Sequence, residues 1–389
     1  MEPLLRRTWA EIDLDALEHN FRTLQDRVGA DTGVVGVVKA DAYGHGALQT
    51  ARTLENLGAA YLAVSSLDEG RELRHNGIAM PILILGHTPE EYVPQLLEYN
   101  MTQAITCEAK AVAYNEAAAA CGGVLRCHIK VDTGMSRLGF LCAGRHFDEG
   151  VAGAARACRM PHLDVEGIFT HFAVSDEPGQ ENENFTRQQF DLFCRFVAAL
   201  EGQGCTFRLR HCANSGAVVH YPEMKLDMVR PGILLYGCGE GAEALGLRPV
   251  MSLKTTVSTI KVFDPDCTIS YGRLYRTEQP TRTGVLPIGY ADGFFRCLSN
   301  RCSVMTEDGP ARVLGRICMD MCMIDLTDKP HVQVGSEVEI FGQRSRVDDL
   351  AALAGTIPYE LTCAVSKRVP RVYVRGGKIV GTELRLYLE

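Results

Sequence analysis

VGVVKADAYGHG, residues 35–46, carries a lysine at the end of a run that otherwise reads as buried. The run is the first of a series. Apolar, strand-like segments recur as YLAVSSL (61–67), PILILG (81–86), QAITC (103–107), RCHIKVDTG (126–134), VEGIFTHFA (165–173), FRLRHCANSG (207–216) and DMVRPGILLYG (227–237). Segments of helical period lie between them, such as Leu14, Leu17, Phe21, Leu24 and Val28, or Phe193, Phe196, Val197 and Leu200. Strands that are apolar without alternation suit a parallel sheet covered on both faces. Eight such units in about 240 residues predict a closed (β/α)8 barrel, a TIM barrel. The alternative, an open doubly wound sheet, usually needs a Gly-rich phosphate loop after its first strand, and KADAYGHG does not supply one.

After about Leu245 the texture changes to short β-branched segments with turn signals: TTVSTIKVF (255–263), GVLPIGYADG (284–293), CSVMTEDGPARVLG (302–315) and EVEIFG (337–342). This part is expected to be mostly β, with a hairpin at Asp308-Gly309 and no long helical period before about Val347 to Leu353. The expected division is a barrel over residues 1–245 and a β domain over 246–389.

Composition bounds the function. A chain of 389 residues that is 46% hydrophobic can bury a large core and more naturally forms two domains than one. Its formal charge of -8 is spread without a basic block, which argues against nucleic acid or anionic membrane as partner and for a small molecule. No window approaches the roughly 18 apolar residues of a membrane span, and the N-terminus MEPLLRRTWAEIDLDALEHN lacks the apolar core of a leader, so a cytoplasmic location is expected. The 15 cysteines, scattered through apolar segments, read as reduced, buried thiols. CMDMC (318–322) lacks zinc-ligand spacing, so no metal site is expected.

In a parallel barrel the carboxyl ends of the strands carry the chemistry. Lys39 sits at one such end. Arg137 follows the fifth strand, His171 ends the sixth, Asn214 and Ser215 end the seventh, and Arg230 opens the eighth. A lysine on an apolar strand has an ammonium that desolvation disfavours, as a Schiff-base lysine requires, and its natural carbonyl partner is pyridoxal phosphate.

Ten fragments in order, WAEIDLDALEHN, VVKADAYGHG, KVDTGMSRLGF, GIFTHFA, ANSGA, VRPGILLYG, SYG, PIGYADG, GRICMDMCMIDL and YELTCAVSKRVPRVY, together resemble the alanine racemases, two-domain enzymes that use pyridoxal phosphate. The resemblance implies that Lys39 holds the cofactor and exchanges the α proton of D-alanine, while Tyr271 is the opposite base, acting on L-alanine. Two bases are needed because racemisation removes a proton from one face of a carbon and delivers one to the other. By the same resemblance Arg230 points at the pyridine nitrogen and His171 links it to the tyrosine. Ser215, Gly232 and Ile233, beside Asn214, match the phosphate site, joined by Tyr43 and Tyr359. Arg137 and the backbone N–H of Met319 match the contacts to the substrate carboxylate. Lys130 falls where many family members carry a carbamylated lysine; a plain lysine paired with an acid is the alternative. The family also implies a homodimer with shared sites and a supply of D-alanine for peptidoglycan. A serine racemase of the same fold and a non-catalytic pyridoxal phosphate carrier are the competing readings. Tyr359 speaks against the first and the β domain against the second.

Overall fold

The computed structural model describes residues 7–384 and Leu386. The first six residues, part of the stretch read as lacking a leader, lie outside the described residues.

The helix Leu14–Val28 shows how the chain sets its elements. Asp13 Oδ1 accepts from the backbone N–H of Asp15 and Ala16, so it ends the preceding strand and caps the helix in one step. Leu14, Leu17, Phe21, Leu24 and Val28, spaced three and four apart, are all buried. A second amphipathic helix, Gln180–Glu201, buries Phe193, Phe196, Val197 and Leu200 in the same way.

Eight parallel strands form the expected barrel: Gly33–Val37, Tyr61–Val64, Ile82–Ile84, Thr102–Ile105, Leu125–Asp132, Leu163–Phe169, Leu209–His211 and Met228–Val229. The first pairs with the eighth, and the fourth with the fifth, so no edge is left. The strands are shorter than the apolar runs that announce them. Pro231 has no N–H to continue a ladder, and residues Gly232–Tyr236 coil into a 3-10 turn. Arg230 therefore follows the eighth strand instead of opening it, and the last residues of each apolar run are released to the rim.

The described residues divide by packing into two units: one holds Phe21–Ala42 and Thr50–Leu235, the other everything up to Asn20, Tyr43–Gln49 and everything from Tyr236 onward. The division thus departs from a single cut after residue 245. The strand Thr8–Asp13 lies inside a seven-stranded sheet, antiparallel to Met251–Thr256 and parallel to Arg371–Arg375, which ties the start of the chain to its end. Beside this sheet stand a three-stranded sheet, Thr259–Phe263, Thr281–Leu286 and Cys322–Asp325, and the helices Val347–Ala354 and Pro358–Cys363. The expected hairpin pairs Ser303–Thr306 with Gly309–Arg312. Its two-residue turn is Glu307-Asp308, one place earlier than the Asp-Gly pair, and Gly309 takes the left-handed φ of 95° that closes it.

No helix among the described residues is long and apolar enough to cross a membrane. The cysteines are unpaired, but the expectation that they are buried holds only in part, since Cys107, Cys121, Cys194, Cys297 and Cys363 are exposed.

Candidate active site

Lys39 leaves the first barrel strand and opens a turn of unusual hand. Ala40, Asp41, Ala42 and Tyr43 have φ of 52°, 56°, 53° and 54°, four consecutive residues in the left-handed region without a glycine among them. Such a conformation costs L-residues roughly 1–2 kcal/mol each. The surroundings hold it: the Ala42 N–H donates to the Val38 carbonyl, and the Ala40 N–H donates to Glu69 Oε1 at 2.8 Å. Lys39 itself is half-buried.

Arg230 is 4% exposed, and its guanidinium is surrounded by neutral acceptors. Nη1 donates to His211 Nδ1 at 2.7 Å, while Nη2 donates to the Thr170 carbonyl at 2.7 Å, to the Cys212 carbonyl at 3.2 Å and to His171 Nδ1 at 3.3 Å. Phe169 lies under it, 5.4 Å from ring centroid to guanidinium carbon. No carboxylate among the described residues forms an ion pair with it, and burial lowers its pKa to about 10, still protonated at neutral pH. Burial, and then the positive charge of Arg230, pull the His171 pKa well below its ordinary value. Its Nδ1 must be the acceptor of the guanidinium bond, since arginine can only donate.

Asn214 caps the short helix Ser215–His220, its Oδ1 accepting from the Ala217 N–H and from Ser175 Oγ at 2.6 Å. Ser215 stands in the first turn of that helix, and Gly232 and Ile233 open the 3-10 turn after the eighth strand. Lys130 is buried, with Nζ 5.0 Å from the Phe169 ring centroid and only a long 3.4 Å contact to the Val131 carbonyl. No carboxylate among the described residues forms an ion pair with it, and Asp132 acts on it only through charge. Burial, then Arg230, drive its pKa well down, with Arg137 acting in the same sense. Arg137 is exposed on the loop after the fifth strand, in a depression with Asp132 and Ser136.

The other unit brings together two pairs. Tyr43 is buried, its ring centroid 5.6 Å from that of Tyr359 and 5.1 Å from that of Tyr236. Burial, then Tyr359, raise its pKa, so it is a phenol and a donor. The turn beside it admits no side chain, because a Cβ on Gly44 would fall 2.1 Å from the Thr362 carbonyl oxygen. Tyr271 and Met319 line one open depression with Ser270, Cys318, Asp320, Met321 and Met323. Tyr271 is 70% exposed and Met319 53%. The Met319 loop is anchored by its own backbone: the Ala291 N–H donates to the Met319 carbonyl, and Asp320 is held by Arg368 at 2.7 Å.

His211, His128 and Glu166, all buried, escaped the reading of the sequence. A signal existed. His128 and Lys130 alternate two apart on the fifth strand, which puts both on the face that a barrel turns inward.

Residues 12–240 match the alanine racemase N-terminal domain and residues 250–373 the alanine racemase C-terminal domain. The chain belongs to the alanine racemase family. It is 42% identical to alanine racemase 1 of Clostridium acetobutylicum over 384 residues, 97% of each chain, and 44% identical to the alanine racemase of Desulforamulus reducens over 94% of this chain and 98% of that one. Among solved structures, an alanine racemase of Clostridium difficile superposes with a TM-score of 0.93 at 37% identity, covering 99% of this chain and 100% of that one. The family uses pyridoxal phosphate, and the donor set here fits that group. Lys39 offers an amine on the barrel rim. Ser215 and the turn at Gly232 offer a hydroxyl and backbone N–H groups for a phosphate. Within the other unit, Tyr43 and Tyr359 offer a pair of phenol hydroxyls. Arg230 offers a buried cation with no ion pair to a carboxylate among the described residues.

Proposed function

We propose that this protein interconverts L- and D-alanine with pyridoxal phosphate, using Lys39 and Tyr271 as the two bases. When bound, the cofactor supplies the electron sink that makes the α-hydrogen of the amino acid acidic. Lys39 anchors it covalently and moves a proton at one face of the α-carbon; Tyr271 moves a proton at the other. Arg230 would meet the ring nitrogen of the bound cofactor with a donor that keeps its own proton, so it would offer that nitrogen a hydrogen bond and no transferable proton, a setting that favours return of the α proton over transamination. Ser215, Gly232, Ile233, Tyr43 and Tyr359 hold the phosphate, and Arg137 with the Met319 N–H holds the substrate carboxylate. The observation that carries the reading is the buried Arg230, charged yet bonded only to neutral acceptors, on the same barrel rim as Lys39.

Lys130 belongs to the same reading as a carbamate. Burial and the charge of Arg230 favour its uncharged amine, the form that adds to carbon dioxide, releases one proton and becomes an anion able to orient Arg137. Carbon-13 NMR after equilibration with labelled bicarbonate tests this; a carbamate signal absent from Lys130→Ala is expected, and identical spectra from the two proteins would exclude it.

We place the enzyme in the cytoplasm as a homodimer, supplying D-alanine to peptidoglycan synthesis. The non-catalytic carrier is disfavoured by the match of residues 250–373 to a racemase C-terminal domain. The test is direct. Purified protein given pyridoxal phosphate should show a visible absorbance band, borohydride should fix the cofactor to Lys39, and the circular dichroism of L-alanine should decay to zero. Lys39→Ala should lose the band and at least about 10³-fold of the rate. An unchanged alanine signal, or faster decay with serine, would replace this reading.

A further inference from the structure

Behind Arg230 a file of buried polar groups crosses the barrel interior. His211 Nε2 lies 2.9 Å from His128 Nδ1, and His128 Nε2 lies 3.5 Å from Glu166 Oε1. The Tyr61 hydroxyl donates to the same Oε1, and the far oxygen, Oε2, accepts from Arg208 Nη2 at 2.7 Å. Arg208 is 65% exposed, so the file ends at the surface.

The chemistry of the ends dictates every proton between them. A guanidinium only donates, so His211 Nδ1 carries no hydrogen and its proton sits on Nε2. That N–H donates to His128 Nδ1, which places the His128 proton on Nε2, facing the carboxylate. All donors point one way, from cation to anion. Both histidines are neutral, burial lowering the pKa of each; burial raises that of Glu166, but the adjoining His128 and the hydrogen bonds from Tyr61 and Arg208 outweigh it and bring it to about 2. At 3.5 Å the last joint is too long for a good hydrogen bond and acts mainly through charge.

The barrel is cut to seat these rings. His128 stands opposite Gly167 in the sixth strand, where the ladder shifts register, and a Cβ on Gly167 would lie 2.6 Å from the imidazole. His211 stacks flat on Phe169, with centroids 4.8 Å apart and planes 3° from parallel.

We propose that His211, His128 and Glu166 are positioning residues of the racemase reaction, a one-way file that orients the Arg230 guanidinium and balances its charge from a distance. This rests on the reading that Arg230 meets the cofactor's ring nitrogen. A carboxylate in direct contact would occupy the N–H groups of Arg230 and cancel its field. Two neutral rings transmit orientation and leave the charge in place.

Glu166→Gln reverses the file. Arg208 can only donate, so an amide that keeps this bond leaves its oxygen there and turns its NH2 toward His128 Nε2, with the Tyr61 hydroxyl turning from donor to acceptor. His128 must then carry its proton on Nδ1, facing the N–H of His211, which in turn must present an N–H to Arg230. The experiment has two readouts on the full chain. Nitrogen-15 NMR of histidine-labelled wild type should show His211 and His128 neutral, with protons on Nε2, with or without pyridoxal phosphate; a charged ring or a proton on Nδ1 of either would overturn the proposal even if no variant folds. In Glu166→Gln with cofactor, kcat should fall at least tenfold with KM for alanine within twofold, and transamination events per racemisation should rise about tenfold. Tyr114→Phe, which removes a buried hydrogen bond to the Thr88 carbonyl elsewhere in the barrel, should change stability without changing that ratio. Wild-type partitioning in a folded Glu166→Gln would refute the file while leaving the function intact. If wild type itself fails to racemise alanine, the functional reading falls instead.

Discussion

Single residues here bear costs that their types alone would not announce. Ala40 is exposed and sits at φ 52°, ψ 50° with a hydrogen bond through its N–H. A glycine keeps that bond and removes the clash of Cβ with the following carbonyl, so Ala40→Gly is expected to raise the unfolding free energy by about 0.5–1 kcal/mol, the reverse of its effect in an ordinary helix. Urea denaturation decides it, and a loss of stability would mean that the turn is not left-handed in solution. Arg137 makes a different case, since its value lies in shape. Its planar fork pairs with a carboxylate through two parallel bonds, whereas lysine is a point charge. Arg137→Lys should raise KM for alanine about tenfold, equivalent to about 1.4 kcal/mol, with a smaller effect on kcat. An unchanged KM would move the carboxylate site away from this loop. The sequence made Lys39, Arg230 and Arg137 visible because each is a cation interrupting an apolar or Gly-rich segment. The left-handed turn was invisible, because alanine and aspartate give no sign that tertiary contacts override their local preference.

At the scale of elements, the barrel was legible and its interior was not. Eight apolar runs separated by helical periods leave few topologies open, and both the helix Leu14–Val28 and the hairpin before Gly309 follow from local rules. Polar residues inside the strands break the same rules, and they group where function is placed. They also set the acid stability of the barrel. His128, His171 and His211 have folded pKa values below the ordinary 6.5, so the native state holds them neutral while the unfolded chain protonates them. Unfolding then takes up protons as pH falls, and stability, complete above about pH 6.5, should decline below it by up to about 1.4 kcal/mol per pH unit for each histidine. Glu166 acts in a lower window. Its folded pKa of about 2 lies under the ordinary carboxylate value of 4.5, so its contribution is present above 4.5 and is lost between there and 2. Denaturant midpoints measured from pH 8 to pH 5 should fall with a slope that steepens through 6.5. A flat profile would show that the three imidazoles titrate alike in both states.

The whole molecule poses a question of placement. Lys39 and Arg230 belong to the barrel unit, whereas Tyr271 and Met319 belong to the other, where Tyr271 is 70% exposed beside Met319 and Met321. An exposed apolar cluster that carries a proposed catalytic base is the kind of surface that a partner covers. In the homodimer proposed above, that partner would be a second copy of the same chain arranged head to tail, with Tyr271 and Met319 of one subunit completing the site built on the other subunit's Lys39. Two-fold symmetry turns this into arithmetic. Lys39→Ala and Tyr271→Ala are each expected to be inactive as homodimers. A mixed dimer has one site with both lesions and one site with neither. When equal amounts of the two variants are dissociated together and reassembled, about half of the dimers are mixed, and each has one intact site of two, so roughly a quarter of wild-type racemisation should return. Native mass spectrometry counts the mixed species while circular dichroism follows alanine. Mixed dimers without activity would mean that each chain houses both of its own bases, whereas activity in proportion to the mixed fraction would assign the two bases of every site to different subunits.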